Sequence, residues 1–241
     1  MMRLNLKPIM TSLFCLALAA HAVAADHEED GRDPGAAATI ETLPDHRGGQ
    51  ESIGRPWTSP DFDRFVVPDD PSGESAEEAS PRDDTPPVTL YRWWTNGCPF
   101  CESSLPAIDS WREQFGPQGL RIVAVYHPKP PRDVSDALVR DAARTMGYHG
   151  EIAIDADWST FHELTREWNN RRATSVSFLV DHEGVIQFVH PGPDFYPRIT
   201  DGEDGESDAL RTRQHRDHAL LEAAITTLLD QRRQAVAAEK D

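Results

Sequence analysis

Cysteine is scarce in this chain, with three among 241 residues. Cys15 lies in an N-terminal apolar stretch, which leaves Cys98 and Cys101. Two cysteines this close together cannot staple a fold, so a multi-bridge disulfide scaffold is excluded. Long apolar runs are also lacking. The longest, Leu13 to Ala20, falls short of the roughly 20 residues a bilayer-spanning helix needs. Positive charge is the third shortage: 24 Lys and Arg face 41 Asp and Glu, a net charge of −17. Such a balance argues against phosphate backbones and anionic lipid surfaces, so nucleic acid is dropped as a partner. Internal repeats are missing too, which argues against a solenoid.

What is present begins with the N-terminus. Arg3 and Lys7 supply charge, Leu13 to Ala20 an apolar centre, and Ala22-Val23-Ala24 a small-residue cleavage pattern. Residues 1–24 are read as a secretory signal peptide, with the mature chain starting at Ala25. Phe14 stands where a lipoprotein anchor at Cys15 would want a small residue. Removing two of the 24 basic residues and no acidic ones leaves 22 against 41, a net charge of −19. An exported, periplasmic protein without membrane insertion of the mature chain is expected.

Residues 26–87 hold 17 acidic and five basic residues and nine of the 19 prolines. Segment 25–49 is expected to be an acidic, disordered stretch, because it has too little apolar surface to offset the entropy of ordering. Trp57, Phe62, Phe65, Val66 and Val67 give the next stretch enough apolar content to dock on a domain edge. Residues 68–87 read as an acidic surface loop. One domain over 50–230 follows, with 231–241 as a charged C-terminal tail.

Within that domain, Val88–Trp94 and Leu120–Tyr126 are near-continuous bulky runs that suit buried, central strands. Cys98–Phe115 is predicted helical, with a kink at Pro106. Val134–Met146 is predicted helical with Val134, Leu138 and Ala142 on one face. Ile152–Ile154 is a short strand, and Ser159 caps a helix reaching about Trp168. Val176–Val180 and Val185–Val189 flank a glycine-bearing turn and form a hairpin. The last helix carries Leu221, Ile225, Leu228 and Leu229 on one face. This order predicts an α/β fold with a mixed central sheet flanked by helices.

The chemistry lies in Cys98-Pro99-Phe100-Cys101, placed between a buried strand and a helix. A thiol at a helix start faces unpaired backbone N–H groups and the positive end of the helix dipole. Both favour the thiolate, the form that attacks disulfides. A second cysteine one turn on can close a disulfide with the first. Cys98 is expected to be the exposed nucleophile and Cys101 the buried thiol that resolves the mixed disulfide. Phe100 brings neither charge nor hydrogen bond to a thiolate, which favours a moderately reducing couple.

The element order and the Cys-x-x-Cys resemble the thioredoxin fold, most closely the exported TlpA-like (ResA-like) redoxins, over roughly Gln50 to Leu229. Gly54-Arg55-Pro56 resembles the motif ahead of that family's first hairpin. Trp94, Cys98, Cys101 and Pro106 match its tryptophan, active pair and helix proline. Phe178-Leu179-Val180-Asp181 with Glu183-Gly184 resembles the strand and turn after its cis-proline loop, and residues 127–157 resemble its insertion after the second core strand. The resemblance implies a thioredoxin-like fold with an N-terminal extension and that insertion. It implies a thiol–disulfide oxidoreductase with no cofactor beyond the redox-active disulfide. Its partners would be cysteine-containing exported proteins and a membrane thiol electron carrier. Trp94, Gly97, Pro99, Phe100, Thr174 and Ser175 are the expected partner-binding residues.

Four positions depart from the family pattern. Ser175 stands at the cis-proline position, and a cis bond before a non-proline residue costs about 2.5–4 kcal/mol, so Thr174–Ser175 is expected trans. Gly97 replaces a tryptophan, Ser104 a glutamate, and Arg92 the buried carboxylate that thioredoxins keep. Arg92 has two readings: a buried cation that lowers a thiolate pKa, or an arginine paired with Asp155 or Asp157 or turned to solvent.

Two alternatives remain. Thr95-Asn96-Gly97-Cys98 matches the T-x-x-C of peroxiredoxins, although Tyr91 and Ser175 replace that family's proline and arginine, and Arg171 and Arg172 are out of register. A copper or other metal site, or a metallochaperone, could use Cys98 and Cys101 with His127 or His190. The copper-delivery relatives of the fold space their cysteines more widely. His215 and His218, one turn apart, are read as solvated surface, and Asp181 as a turn residue.

Overall fold

The computed structural model describes residues 49–66, 85–168, 173–197 and 209–238. The expected signal peptide, most of the acidic segment and the 68–87 loop, Val67, Arg171, Arg172 and the last three residues lie outside them.

The two bulky runs form the centre of the sheet. Strand β2 (Val88–Trp94) is buried along its whole length and pairs in parallel with β3 (Leu120–Tyr126). Strand β4 (Glu151–Ile154) adds in parallel to β3, and a short β1 (Arg64–Val66) closes that edge antiparallel to β4. On the other side, β5 (Ser177–Val180) runs antiparallel to β2 and forms the predicted hairpin with β6 (Ile186–His190). The six-stranded order is β1-β4-β3-β2-β5-β6. A parallel β-α-β unit joined to an antiparallel hairpin, with the cysteines between its first strand and helix, is a thioredoxin-like arrangement.

Successive residues of a strand face opposite sides of the sheet. In β2, Val88, Leu90 and Trp94 face one core, built with Leu105, Ile108 and Trp111 of α1 (Pro99–Phe115) and Leu221, Ile225 and Leu228 of α4 (Ala209–Ala238). Tyr91 and Trp93 face the second core, with Phe62, Phe161 and Phe178. Arg92 therefore shares the side of Leu90 and Trp94, toward α1.

The stretch after Gly49 docks as expected, and does so by crossing the sheet. Gly54 donates its N–H to the Ile186 carbonyl (2.8 Å), and the Trp57 ring stacks on Tyr91 (4.4 Å). Phe62 then packs beside Trp93 before β1 begins at the far edge.

The structure corrects several element bounds and faces. Helix α2 spans Asp136–Thr145, capped by Ser135, whose hydroxyl accepts from Leu138 N. Val139 and Ala143 are fully buried, Val134 and Ala142 of the predicted stripe are half-buried against the same core, and Leu138 is exposed, so the inward face is shifted from the predicted stripe only in part. Helix α3 is shorter than expected, Ser159–Leu164, and its first N–H groups donate to Asp157 (from Ser159) and Asp155 (from Thr160 and Phe161) rather than to the Ser159 side chain. Helix α4 continues to Ala238, into the stretch read as a charged tail, and Arg232 donates to the carbonyls of Pro86 (2.9 Å) and Thr85 (2.7 Å) at the start of β2. Helix α1 runs through Pro106 without a break. Among the described residues, no helix is long and apolar enough to cross a membrane.

Candidate functional site

Strand β2 ends at Trp94, and the chain turns through Gly97 at φ 67°, a left-handed conformation that glycine adopts without strain. Cys98 follows as the N-cap of α1, and its carbonyl accepts from the N–H groups of Cys101 (2.9 Å) and Glu102 (3.1 Å). Cys98 is half-buried and Cys101 fully buried, and both are free thiols. The predicted nucleophile is thus the accessible sulfur, and the predicted resolving thiol lies beneath it.

Their protonation differs sharply. The Cys101 thiol donates to the Cys98 sulfur, and this bond does most to pull Cys98 down to about 5. Partial burial opposes the shift, while Ser175, the Cys101 backbone N–H and the Lys129 ammonium assist it. Cys101 is pushed far up, first by that same bond and then by burial, with Arg92 and Ser175 pulling the other way. The pair holds one proton, and it sits on Cys101.

Ser175 faces both sulfurs. Its Oγ lies 3.1 Å from Cys101 Sγ and 3.7 Å from Cys98 Sγ. The peptide bond before it is trans, as expected; the cis bonds among the described residues precede Pro130 and Pro193. The residue that replaces proline thus turns a hydroxyl onto the reacting atoms.

Arg92 corrects the alternative of an acid-paired or solvent-facing arginine. It is fully buried, and its donors meet only neutral acceptors. Nη1 donates to Ser175 O (2.9 Å) and Ser177 Oγ (3.3 Å), and Nη2 to Ser104 Oγ (2.8 Å) and Pro193 O (2.7 Å). The guanidinium lies over the Phe195 ring, 5.0 Å from its centroid. Asp155 instead accepts from Trp93 Nε1 (3.1 Å), and Asp157 is exposed at the start of α3. The 192–195 loop and Lys129 are site residues the sequence reading missed; no motif marks them.

The expected partner-binding set divides. Gly97, Pro99 and Phe100 are exposed beside Cys98, with Phe100 46 % accessible, and Thr174 is half-buried. Trp94 is fully buried in the core against Tyr126, as Trp93 is against Phe178, so neither ring can form a docking rim. Ser175 is 3 % exposed and directed at the sulfurs.

The histidines do not join the cysteines. His127 is buried between Trp158 and Phe161, and burial drives it down to about 3, a neutral ring at physiological pH. His190 is buried at the end of β6, where its Nδ1 accepts from Gly192 N (3.2 Å) and its Nε2 lies 3.4 Å from Asp217. His218 packs on Trp111 (4.6 Å between centroids), so the solvated-surface reading of it is corrected. Asp181 is a turn residue, accepting from Glu183 N and Val185 N. Among the described residues, no three His, Cys, Asp or Glu side chains are grouped to hold a metal.

No family model and no curated protein matches this chain. Solved structures similar to it include a hypothetical protein from Sinorhizobium meliloti, at 19% identity over 77% of this chain and 88% of that one, with a TM-score of 0.49. A thiol-disulfide isomerase from Corynebacterium glutamicum has 15% identity, covers 72% of this chain and 96% of its own, and gives a TM-score of 0.45. A secreted Mycobacterium tuberculosis disulfide oxidoreductase homologous to E. coli DsbE has 11% identity over 55% of this chain and 81% of that one, with a TM-score of 0.35. This chain is a thioredoxin-like fold carrying a close Cys98–Cys101 thiol pair, and its structural neighbours include DsbE-like and thioredoxin-like proteins at low identity.

Proposed function

We propose that the protein is a thiol–disulfide oxidoreductase that reduces cysteine pairs of exported proteins and is itself re-reduced by a membrane thiol carrier. The observation that carries this reading is the pairing of a half-buried, readily ionised Cys98 with a buried Cys101 that holds the proton. Cys98 attacks a partner disulfide, and the mixed disulfide is resolved when Cys101 displaces the partner sulfur. The exposed Gly97, Pro99 and Phe100 form the surface against which the partner chain lies. Phe100 offers no donor that would hold Cys98 as strongly in its reduced form as a charged residue would, which supports the reducing direction.

The test uses two variants. Cys101→Ser is expected to accumulate mixed disulfides with a cysteine-paired substrate, because attack proceeds and resolution cannot. Cys98→Ser is expected to form none. Equal alkylation of both wild-type thiols at neutral pH, with no trapping in Cys101→Ser, would overturn the assignment.

A further inference from the structure

Burying a guanidinium is costly unless something compensates its charge. In this fold, Arg92 is fully buried, and among the described residues it makes no ion pair with a carboxylate. Four neutral oxygens satisfy its two terminal nitrogens, while Nε is buried with no partner. The groups that face it with charge are Cys101 and Cys98 on α1 and Asp194 on the loop after β6. The Asp194 carboxylate is held through Oδ2 by Gln214 Nε2 (2.6 Å) and Ser103 Oγ (3.2 Å); its Oδ1 is buried with no hydrogen-bond partner, and its charge supports the guanidinium from the loop without an ion pair to it.

One of the residues that Arg92 holds touches the buried sulfur. Nη1 fixes the carbonyl of Ser175, whose hydroxyl lies 3.1 Å from Cys101 Sγ. Nη2 fixes the hydroxyl of Ser104, three residues beyond Cys101 on α1, which in turn donates to the Phe100 carbonyl. From this geometry, and resting on the exchange reading above, we infer that Arg92 is a positioning residue for the resolving step. Its buried charge stabilises the Cys101 thiolate, and its hydrogen bonds aim Ser175 at that sulfur.

In the reduced pair, one negative charge is shared, with the proton on Cys101. When the Cys98 thiolate attacks a disulfide, one partner sulfur departs as a thiolate and the shared charge leaves with it. Cys98 is now neutral and no longer accepts from Cys101. Cys101 loses its proton to solvent base, and the resulting thiolate restores an anion beside Arg92. It then attacks Cys98 Sγ, the Cys98–Cys101 bond forms, the bond to the partner sulfur breaks, and a second thiolate leaves. Two electrons pass from the cysteine pair to the partner. A buried carboxylate at this position would act by accepting the proton; a guanidinium can only stabilise what remains after the proton has gone.

The experiment follows one equivalent of dithiobis(nitrobenzoate) reacting with reduced full-length protein in stopped flow. The first coloured thiolate reports Cys98 attack and the second reports Cys101 resolution, each measured across pH. In Arg92→Met the second phase is expected to slow at least about tenfold at neutral pH, with its midpoint raised by about one pH unit or more. The first phase should change less than about threefold, because Cys98 is ionised mainly by Cys101 and its helix position. Arg92→Lys, which keeps the charge, should return the second-phase midpoint to near wild type. An unchanged midpoint in Arg92→Met, equal slowing of both phases, or Arg92→Lys behaving as Arg92→Met would overturn the inference. Should Arg92→Met fail to fold, a second neutral variant decides. Arg92→Gln, which removes the charge but keeps polar donors, should then show the same raised second-phase midpoint, and an unchanged midpoint in it would overturn the inference. A wild-type protein that releases no second thiolate would sink the exchange reading itself, whereas a normal second phase in Arg92→Met sinks only the part given to Arg92.

Discussion

The ionisation of Cys98 fixes how the redox potential must vary with pH. Cys98 lies at about 5, while Cys101 keeps its proton well into the alkaline range. Between those limits, reducing the disulfide takes up two electrons and one proton, so the potential should fall by about 30 mV per pH unit. Below about pH 5 both sulfurs take a proton, and the slope should double to about 59 mV per unit. The absolute value follows from the same thiolate. A depressed Cys98 pKa stabilises the reduced pair and so raises the potential. Relative to thioredoxin, whose cysteine titrates near 7 at about −270 mV, a drop of two units is worth up to about 60 mV, placing this couple near −210 mV at neutral pH. That is well short of the ~−120 mV of a strong oxidant. Equilibration with glutathione buffers from about pH 4 to 8, read by alkylation and mass, gives both quantities. A slope that stays at the two-proton value through neutral pH would mean Cys98 is not ionised. The hydrogen bond from Cys101 would then not be the dominant interaction at the site.

Two further predictions concern the parts that hold the site. Gly192 sits at φ 85°, and a Cβ there would lie 2.4 Å from the Ser175 carbonyl oxygen and 2.8 Å from Ala173 Cβ. Gly192→Ala should therefore displace the Ser175 loop, lowering stability by about 2 kcal/mol and raising the Cys98 alkylation midpoint. Urea unfolding and an alkylation pH profile check it, and unchanged values in both would show that the loop adapts. Asp155 accepts from Trp93 Nε1 (3.1 Å), Thr160 N (3.2 Å) and Phe161 N (3.0 Å), all buried. Asp155→Ala leaves these donors unpaired and should cost about 3 kcal/mol in urea unfolding with little change in the alkylation midpoint. A loss below about 0.5 kcal/mol would mean that water replaces the carboxylate.

Much of the scaffold was legible because its signals are local. Val88–Trp94 and Leu120–Tyr126 were bounded correctly, since continuous bulky residues suit a strand covered on both faces. The Cys-x-x-Cys sat where a strand meets a helix, and that junction leaves Cys98 half-buried and Cys101 fully buried. What failed depended on partners distant in sequence. Strand β1 is three residues long and carries Arg64, so it has no strand signature of its own; pairing with β4 makes it one. The inward face of α2 centres on Val139 and Ala143 with Val134 and Ala142 beside them, because packing against the sheet selects which flank of an apolar stripe turns in. Trp94 looked available for docking because a tryptophan near a reactive thiol suggests a rim, yet its even place in β2 puts it under α1.

Arg92 shows how far strand parity reaches. A strand bulky at every position has no solvent side, so the arginine could not turn outward without breaking the pattern that identified the strand. Its face follows as well: Leu90 and Trp94, two residues to either side, pack under α1, and Arg92 must point there too. The suggested acid lay on the wrong side. Asp155 bonds to Trp93, the neighbour of opposite parity, so the sheet itself separates that carboxylate from the guanidinium. The sequence alone could thus have excluded the solvent-facing fate, whereas the side on which Asp155 falls is fixed only by the fold. It could not reveal the replacements, because Ser104, Ser175, Ser177 and Pro193 come from separate segments, up to 101 residues away. Three of the four are serines or lie next to no charge, and nothing in their local pattern announces a guanidinium. Once the fold gathers them, the arginine is hydrogen-bonded but makes no ion pair, and the negative groups that face it are the two cysteine sulfurs and the Asp194 carboxylate.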